Sequence, residues 1–189
     1  AVDMVVVGKF VGEEALAAVG ANISLTYLIL NLFVGLSIGA NIVTARYYGA
    51  QDKKCVEETV HCSMAICLIS GIIMMCFGIF AARFSLEMLD TPDNILDDAV
   101  TYLRVCAVGF PFTLIFNFTR AIANAEGDTR FPLYCLIAAG AVNVVLNLCF
   151  VLIFRLDVFG VALATVISGG LSAILMTVLL WRKTTMIKL

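Results

Sequence analysis

Residues 133–154 read LYCLIAAGAVNVVLNLCFVLIF, an apolar stretch that contains no charged residue. Its length matches the roughly 20 residues that an α-helix needs to cross the hydrocarbon core of a bilayer. Strands of a membrane barrel would instead be shorter and would alternate apolar with polar residues. The stretch therefore predicts a transmembrane helix.

Four further blocks, at residues 22–45, 60–82, 99–119 and 158–181, are also apolar and long enough to span a bilayer. Residues 1–8 resemble the last turns of another span, whose start we expect to precede residue 1. All blocks are rich in Leu, Ile, Ala and Met and too long for strands. They predict an all-α, polytopic membrane bundle.

Composition supports the same class. Apolar residues make up 62% of the 189 residues and charged residues only 14%, against about half and a quarter in soluble domains. Mean hydropathy is +1.04. The net charge of −2 offers no basic footprint, so no nucleic-acid partner is expected. The seven cysteines form no CxxC pair, which favours free thiols over a zinc or redox site.

The connections between blocks predict the orientation. Counted alternately, eight Lys and Arg residues fall on one side and four on the other. Because cytoplasmic loops carry the excess of positive charge, the N-terminus and residues 46–56, 120–131 and 182–189 are predicted to be cytoplasmic. The expected location is the plasma (inner) membrane, with several passes and with lipid as a partner.

Local signals predict where helices begin, end and bend. Asp93 or Asn94 is expected to cap the helix that follows Pro92. Gly127 is expected to interrupt the helical structure between two spans, and Pro132 suits the first turn of the next helix. A bend is predicted at Gly109-Phe-Pro111, inside a span.

Asp3 is the most informative polar residue. It stands a few residues before the outer end of the first block, where an ionisable side chain is costly and by default marks an ion or substrate pathway. The alternative is that Asp3 lies in a loop. A desolvated carboxyl group there would have a raised pKa and could carry a proton near neutral pH.

Two amides and a hydroxyl accompany this acid on other spans. Asn143 and Asn147 are four residues apart, on one helix face, and Thr165 continues through Ser168 and Ser172 on the last span. Ser and Thr stripes also join helices without any further role. Taken together, a carboxylate, two amides and a hydroxyl provide the oxygen ligands that hard cations prefer.

Weaker polar signals are Asn31, Asn41 and Asn117, which could line a cavity together with Ser168, or could hydrogen-bond between helices. No HExxH metal motif occurs and the chain has one histidine, so a membrane-embedded enzyme is not favoured. No metal is expected beyond Na⁺ at the oxygen-bearing residues. No organic cofactor is expected either.

Several motifs resemble one transporter family. DMVVVGKFVGEEALAAVG (3–20), GLSIGANIVTARYYGAQDKK (35–54), RAIANAEGDTRFPLYCLIAAGAVNVVLN (120–147) and FGVALATVIS (159–168) are similar, in order and spacing, to the first six helices of multidrug and toxic compound extrusion (MATE) transporters. Residues 56–100 contribute only hydropathy.

The resemblance implies twelve helices in two six-helix lobes, of which residues 1–189 would form most of the first, with a truncated first helix. It implies export of cationic amphiphilic drugs in exchange for H⁺ or Na⁺, with a missing C-terminal lobe as partner. Family coupling residues match Asp3, Asn143, Asn147 and Thr165, but Asn147 stands where many prokaryotic members have Asp.

Two other functions stay open at this point. The nearest is a lipid-linked oligosaccharide flippase of the same superfamily, which would be expected to carry cationic residues inside its spans to meet phosphates. A structural membrane protein would not need polar residues on three separate spans. The oxygen-bearing interior favours ion-coupled drug export.

Overall fold

The computed structural model describes residues 2–154 and 156–183, apart from the side chains of residues 2, 3, 5, 10, 23–25, 29, 32, 33 and 183. Within these ranges the chain is helical and contains no strand, which confirms the predicted all-α class. The helices are Val2–Phe10 (α1), Glu13–Gly49 (α2), Lys53–Phe80 (α3), Ala82–Glu87 (α4), Asp93–Val108 (α5), Phe110–Ala125 (α6), Arg130–Leu148 (α7) and Asp157–Lys183 (α8), with a π-helical segment at Cys149–Ile153.

Three described segments are long and apolar enough to cross a membrane: α3, α7 with the π-helical segment, and α8. Helices α5 and α6 add a fourth if the bent pair counts as one span. Only 17–33% of the residues in the apolar windows of α3, α7 and α8 are buried inside the bundle. Exposed apolar area on this scale would be unfavourable in water, so it fits a protein surrounded by lipid.

The bend predicted at Gly109-Phe-Pro111 is confirmed. Helices α5 and α6 meet at an angle of 46°, and Pro111 lies in the first turn of α6. Proline has no backbone N–H to donate and its ring crowds the preceding turn. A Cβ added at Gly109 would lie 3.1 Å from Val166 of α8, so α8 packs directly on the bend.

Buried apolar residues form three clusters, one at one end of the bundle and two at the other. We call the end that contains the 50–52 turn the Gln51 end; there Val56 of α3, Ile122 of α6 and Leu180 of α8 pack together. At the opposite end, called the Asp90 end, one cluster joins the starts of α2 and α5 with α4. A second joins α1 and the start of α2 with the start of α8. Successive spans therefore run antiparallel when the bent pair α5–α6 is taken as one span.

The caps show one correct and one wrong prediction. Gly127 adopts φ +84 between α6 and α7, as predicted, because glycine tolerates this conformation. The predicted cap of α5 is wrong: Pro92 is the N-cap residue, Asp93 already belongs to the helix, and no side chain caps it. The proline side chain has no acceptor with which to cap the helix, and Asp93 stabilises the helix from inside its first turn, where a negative charge is favourable.

Asp52 provides a side-chain cap that was not predicted from the sequence. Its Oδ1 accepts a hydrogen bond from the Cys55 N–H at 3.1 Å, at the start of α3. This bond lowers the pKa of the Asp52 carboxyl group from its ordinary value, because it stabilises the ionised form.

Candidate functional site

Three polar side chains of α7 and α8 and one backbone carbonyl form a connected group, which we call the amide–hydroxyl cluster: the side chains of Asn143, Asn147 and Ser168, and the carbonyl of Thr165. Asn147 Nδ2 donates to Asn143 Oδ1 at 3.1 Å, and Asn143 Nδ2 donates to Ser168 Oγ at 3.2 Å. Ser168 Oγ donates in turn to the Thr165 carbonyl oxygen at 3.1 Å. The two amides predicted to share a face therefore do so, and Asn143 reaches α8 through Ser168.

Because the cluster is buried, the loss of one of its hydrogen bonds would cost free energy. Asn147 is 0% exposed and Ser168 is 6% exposed. Buried amide and hydroxyl groups cost about 1–3 kcal/mol each when they lack partners. The hydrogen-bonded relay from α7 to α8 therefore holds the two helices in one register.

The π-helical segment begins two residues after Asn147. It adds one residue to a helical turn: the Phe154 N–H donates to the Cys149 carbonyl at 3.2 Å. A Cβ at Gly160 would lie 3.0 Å from Phe150, so α8 closes tightly on this segment. Such π-turns often occur beside functional sites, and this one ends α7 next to its buried amide.

Asp3 belongs to α1, and its side chain lies outside the described part of the chain. Its helix packs against α7 and α8. Val6 and Val7 are buried in one cluster with Val151 and Val161. The helix that carries the acid therefore contacts both helices that carry the amide–hydroxyl cluster.

A cavity of about 230 Å³, which we call the Asn22 cavity, lies between α2, α5, α6 and α8, with Met4 of α1 also in its wall, in the half of the bundle nearer the Asp90 end. Its polar wall residues include Asn22, Thr26, Tyr102, Thr113 and Thr165. Thr165 is thus shared between this cavity and the amide–hydroxyl cluster.

The four residues predicted as cavity lining lie elsewhere. Asn31 is exposed on α2. Asn41 Nδ2 donates to the Ala121 carbonyl of α6 at 2.6 Å, and Asn117 Nδ2 donates to Thr113 O on its own helix at 2.9 Å. Ser168 belongs to the amide–hydroxyl cluster. None of the four lines the Asn22 cavity or the larger groove described next.

A more open groove of about 400 Å³ lies between α2, α3 and α6 toward the Gln51 end. Its walls are mostly apolar, with Tyr47, Thr59 and Glu58 as polar members. Glu58 pairs loosely with Lys54 at 3.9 Å, and both side chains are largely exposed. No Lys or Arg lines this groove or the Asn22 cavity among the residues the structure describes.

Sequence reasoning missed Asn22, the only fully buried amide besides Asn147 in the described chain. The available signal was its spacing of four from Thr26, at the start of an apolar block. That pair lies at the edge of the predicted block 22–45, where a polar residue is unremarkable.

A family model described as MatE matches residues 1–149 of this chain. A probable multidrug resistance protein of Bacillus subtilis, YoeA, is 27% identical over 171 residues, which cover 88% of this chain and 37% of that protein. The multidrug export protein MepA of Staphylococcus saprophyticus is 27% identical over 169 residues, covering 87% of this chain and 38% of that protein.

Solved structures agree. A crystal structure of MATE in the bent conformation superposes with a TM-score of 0.93 at 25% identity, covering 100% of this chain and 42% of that one. An outward-facing multidrug resistance transporter of the same family gives 0.88 at 25% identity, covering 96% and 40%. The chain thus spans about two fifths of the length of these relatives.

Proposed function

Because this chain belongs to the MatE family of transporters, we propose that it works as one lobe of a secondary transporter that exports cationic amphiphilic compounds in exchange for H⁺ or Na⁺. The membership also removes the membrane-embedded enzyme from consideration, since the relatives are transporters. A second lobe, supplied by sequence outside residues 1–189, would complete the pathway.

The observation that carries the proposal is the relay Asn147–Asn143–Ser168 between α7 and α8, beside the helix that bears Asp3. In the proposed mechanism, the Asp3 carboxylate accepts a proton or holds Na⁺ together with oxygens of Asn143, Asn147 and Thr165. Carboxylate, amide and hydroxyl oxygens suit a hard cation.

Neutralisation of Asp3 would change how α1 packs on α7 and α8. Since α1 is held by buried apolar contacts of Val6 and Val7, a small change in charge can favour a different packing of the helix. Antiport requires the ion and the exported compound to favour opposite states of the transporter, because a ligand that binds both states equally shifts neither.

The flippase alternative gains no support from the described side chains. Phosphate recognition would need cationic groups, and neither the Asn22 cavity nor the groove is lined by one in the described part of the chain.

Asp3→Asn tests the coupling role in the full-length transporter. We expect the variant to abolish ethidium efflux from whole cells at unchanged protein level in the membrane, because the amide cannot ionise. Asp90→Asn is the matched control, since Asp90 is exposed in a turn with φ 51, a conformation that Asn tolerates. Full efflux from Asp3→Asn would contradict the proposal.

The same assay distinguishes the coupling ion. Replacement of Na⁺ by choline should stop efflux if Na⁺ drives it, whereas a protonophore should stop it if H⁺ does. Efflux that continues when both treatments are applied together would exclude exchange for either Na⁺ or H⁺.

A further inference from the structure

The groove of about 400 Å³ toward the Gln51 end is formed mainly by one face of α2 and one face of α3. Its wall residues recur at helical spacing, which keeps each set on one side of its helix: they include Leu36, Val43 and Tyr47 on α2, and Glu58, Cys62 and Ile66 on α3. The volume lies within the range of about 300–1,000 Å³ that is usual for small-molecule sites. The groove is therefore large enough to hold an organic guest.

A glycine keeps the α2 side of the groove open. A Cβ added at Gly39 would meet no described atom within 4 Å, so the space over this residue is not occupied by a neighbouring side chain of the described chain. Ala40, which follows it, is also small and lines the same wall. A guest can therefore lie against the backbone of α2.

The α3 wall changes from polar to apolar along its length. Glu58 lies near the start of α3, at the Gln51 end, and is the one charged residue of the described lining. Beside it, Thr59 Oγ1 donates to the Cys55 carbonyl at 2.7 Å. Since that hydroxyl has used its proton, its oxygen can meet a guest only as an acceptor. Ile66 lies about two helical turns deeper. The groove thus has one polar, acceptor end and one apolar end.

The Glu58 carboxylate has capacity for a further positive partner. Its pair with Lys54 is long, at 3.9 Å, and the two side chains are 66% and 86% exposed. Ion pairs of this kind contribute little free energy. Lys54 itself does not line the groove, and an ionised carboxylate has two oxygens that accept. A cation can therefore approach Glu58 from the groove.

This arrangement selects the chemistry of the guest. An apolar wall favours an apolar body, and a carboxylate at one end favours a single positive group at one end of that body. The head group of an anionic lipid would meet Glu58 with the same charge. A divalent metal ion would need several oxygen ligands, whereas the groove supplies one carboxylate. The fitting guest is a cationic amphiphile.

We propose that this groove is an entry site for the exported compound, in which the cationic group lies beside Glu58 and the apolar body lies against Val43 and Ile66. The groove is separate from the Asn22 cavity and from the amide–hydroxyl cluster, with which it shares no lining residue. The inference rests on the proposed function, because export begins at the cytoplasmic side and the proposed orientation places the Gln51 end there.

Two native cysteines of α3 can report occupancy of the groove. Cys62 lines it, whereas Cys76 does not, and both are exposed, free thiols. In the full-length transporter, each is retained alone while the other cysteines are replaced by serine. The protein is purified in lipid nanodiscs in potassium-free buffer. The rate of labelling by N-ethylmaleimide is measured with tetraphenylphosphonium or with tetraphenylborate, an anion of the same shape, at matched membrane concentrations.

We expect tetraphenylphosphonium to slow the labelling of Cys62 in a saturable way and to leave Cys76 unchanged, because a guest in the groove covers only the first thiol. Tetraphenylborate should protect Cys62 far less. Equal protection by the two ions, protection of both cysteines, or no protection would overturn the proposal. A Cys62 thiol that is unreactive without either ion would assign the groove to bound lipid and would also overturn it.

Glu58→Gln tests the role of the charge. The concentration of tetraphenylphosphonium that gives half-maximal protection should rise about two- to fivefold, the range expected for one exposed ion pair. Glu57→Gln is the matched control, because Glu57 is the neighbouring exposed acid, pairs with His61 at 3.9 Å and does not line the groove. An unchanged concentration in Glu58→Gln, or an equal rise in both variants, would contradict the assigned contact.

Gly39→Leu tests the space. The leucine side chain should fill the open region of the groove and abolish the protection of Cys62 by tetraphenylphosphonium, while leucine favours a helix over glycine. Gly140→Leu on α7 is the control, because a Cβ there also meets no described atom within 4 Å and the residue does not line the groove. Protection that persists in Gly39→Leu, or is lost in Gly140→Leu, would overturn the proposal. If Gly39→Leu does not fold, the Glu58 comparison still decides.

The labelling readout is independent of drug export. If Asp3→Asn exported drugs normally, the coupling proposal would fail while protection of Cys62 could still be measured. If Asp3→Asn abolished export and tetraphenylphosphonium did not protect Cys62, only the entry site would fail.

Discussion

At the scale of single residues, the hydrogen-bonded relay between α7 and α8 depends on one hydroxyl. Ser168 Oγ accepts from Asn143 and donates to the Thr165 carbonyl, so it joins two helices. Ser172, one turn further along α8, donates to the Gly169 carbonyl on its own helix at 2.7 Å. Both serines are 6% exposed, which makes them a matched pair.

Ser168→Ala should lower the free energy of unfolding by about 1 kcal/mol, because the Asn143 amide loses its acceptor on α8. It should also reduce efflux, since the amides would no longer be held against α8. Ser172→Ala should change both quantities little. Thermal unfolding in detergent and ethidium efflux measure the two effects, and equal losses in both variants would contradict the assigned role of Ser168.

At the scale of helices, close packing of α3 on the α5–α6 bend depends on glycine. A Cβ at Gly71 would lie 2.9 Å from the Cα of Pro111, and one at Gly78 would lie 2.6 Å from Ala107 Cβ. The first contact is with backbone, which cannot rotate away. The bend and the path of α3 are therefore mutually dependent.

Gly71→Ala should destabilise the protein by about 1–3 kcal/mol, the usual cost of overpacking a well-packed contact. Gly140→Ala on α7 is the control, because a Cβ there meets no described atom within 4 Å and alanine favours a helix over glycine. Unfolding temperatures of the two variants would be compared, and a Gly71→Ala protein as stable as the control would show that α3 is not closely packed on the bend.

At the scale of the whole molecule, the turns lie at two opposite ends. Gln51 and Asp90 both occupy exposed, left-handed turn positions, with φ 57 and 51, and they belong to opposite ends of the bundle. Lys and Arg residues concentrate in the connections of the Gln51 end, so the proposed orientation places that end in the cytoplasm.

Single cysteines test this orientation in full-length protein whose native cysteines are replaced by serine. In intact cells, a membrane-impermeant maleimide should label Asp90→Cys and should label Gln51→Cys only after permeabilisation. The two positions control for each other, because they share exposure and backbone conformation. The reverse labelling pattern would invert the proposed topology.

Local sequence was sufficient for the helices and for part of the site. A continuous apolar stretch such as 133–154 predicts a helix, because in lipid every backbone polar group must find its hydrogen-bond partner within the segment. The spacing of Asn143 and Asn147 decides that they share a face, because helical geometry alone sets it. Gly109 and Pro111 decide the bend for the same local reason.

Only the tertiary structure decided which residues meet. Asn143 reaches Ser168, 25 residues away, and Asn22 reaches the Ala99 carbonyl, 77 residues away, through helix packing that no local pattern encodes. The wrong prediction of a cap at Asp93 or Asn94 shows a similar limit. Neighbouring residues can each begin a helix, and local sequence does not decide between them. The sequence by itself determined a membrane bundle with oxygen-bearing residues in its spans; the packing of α2 against α5 determined that Asn22, rather than the predicted Asn31, Asn41 or Asn117, lines a cavity.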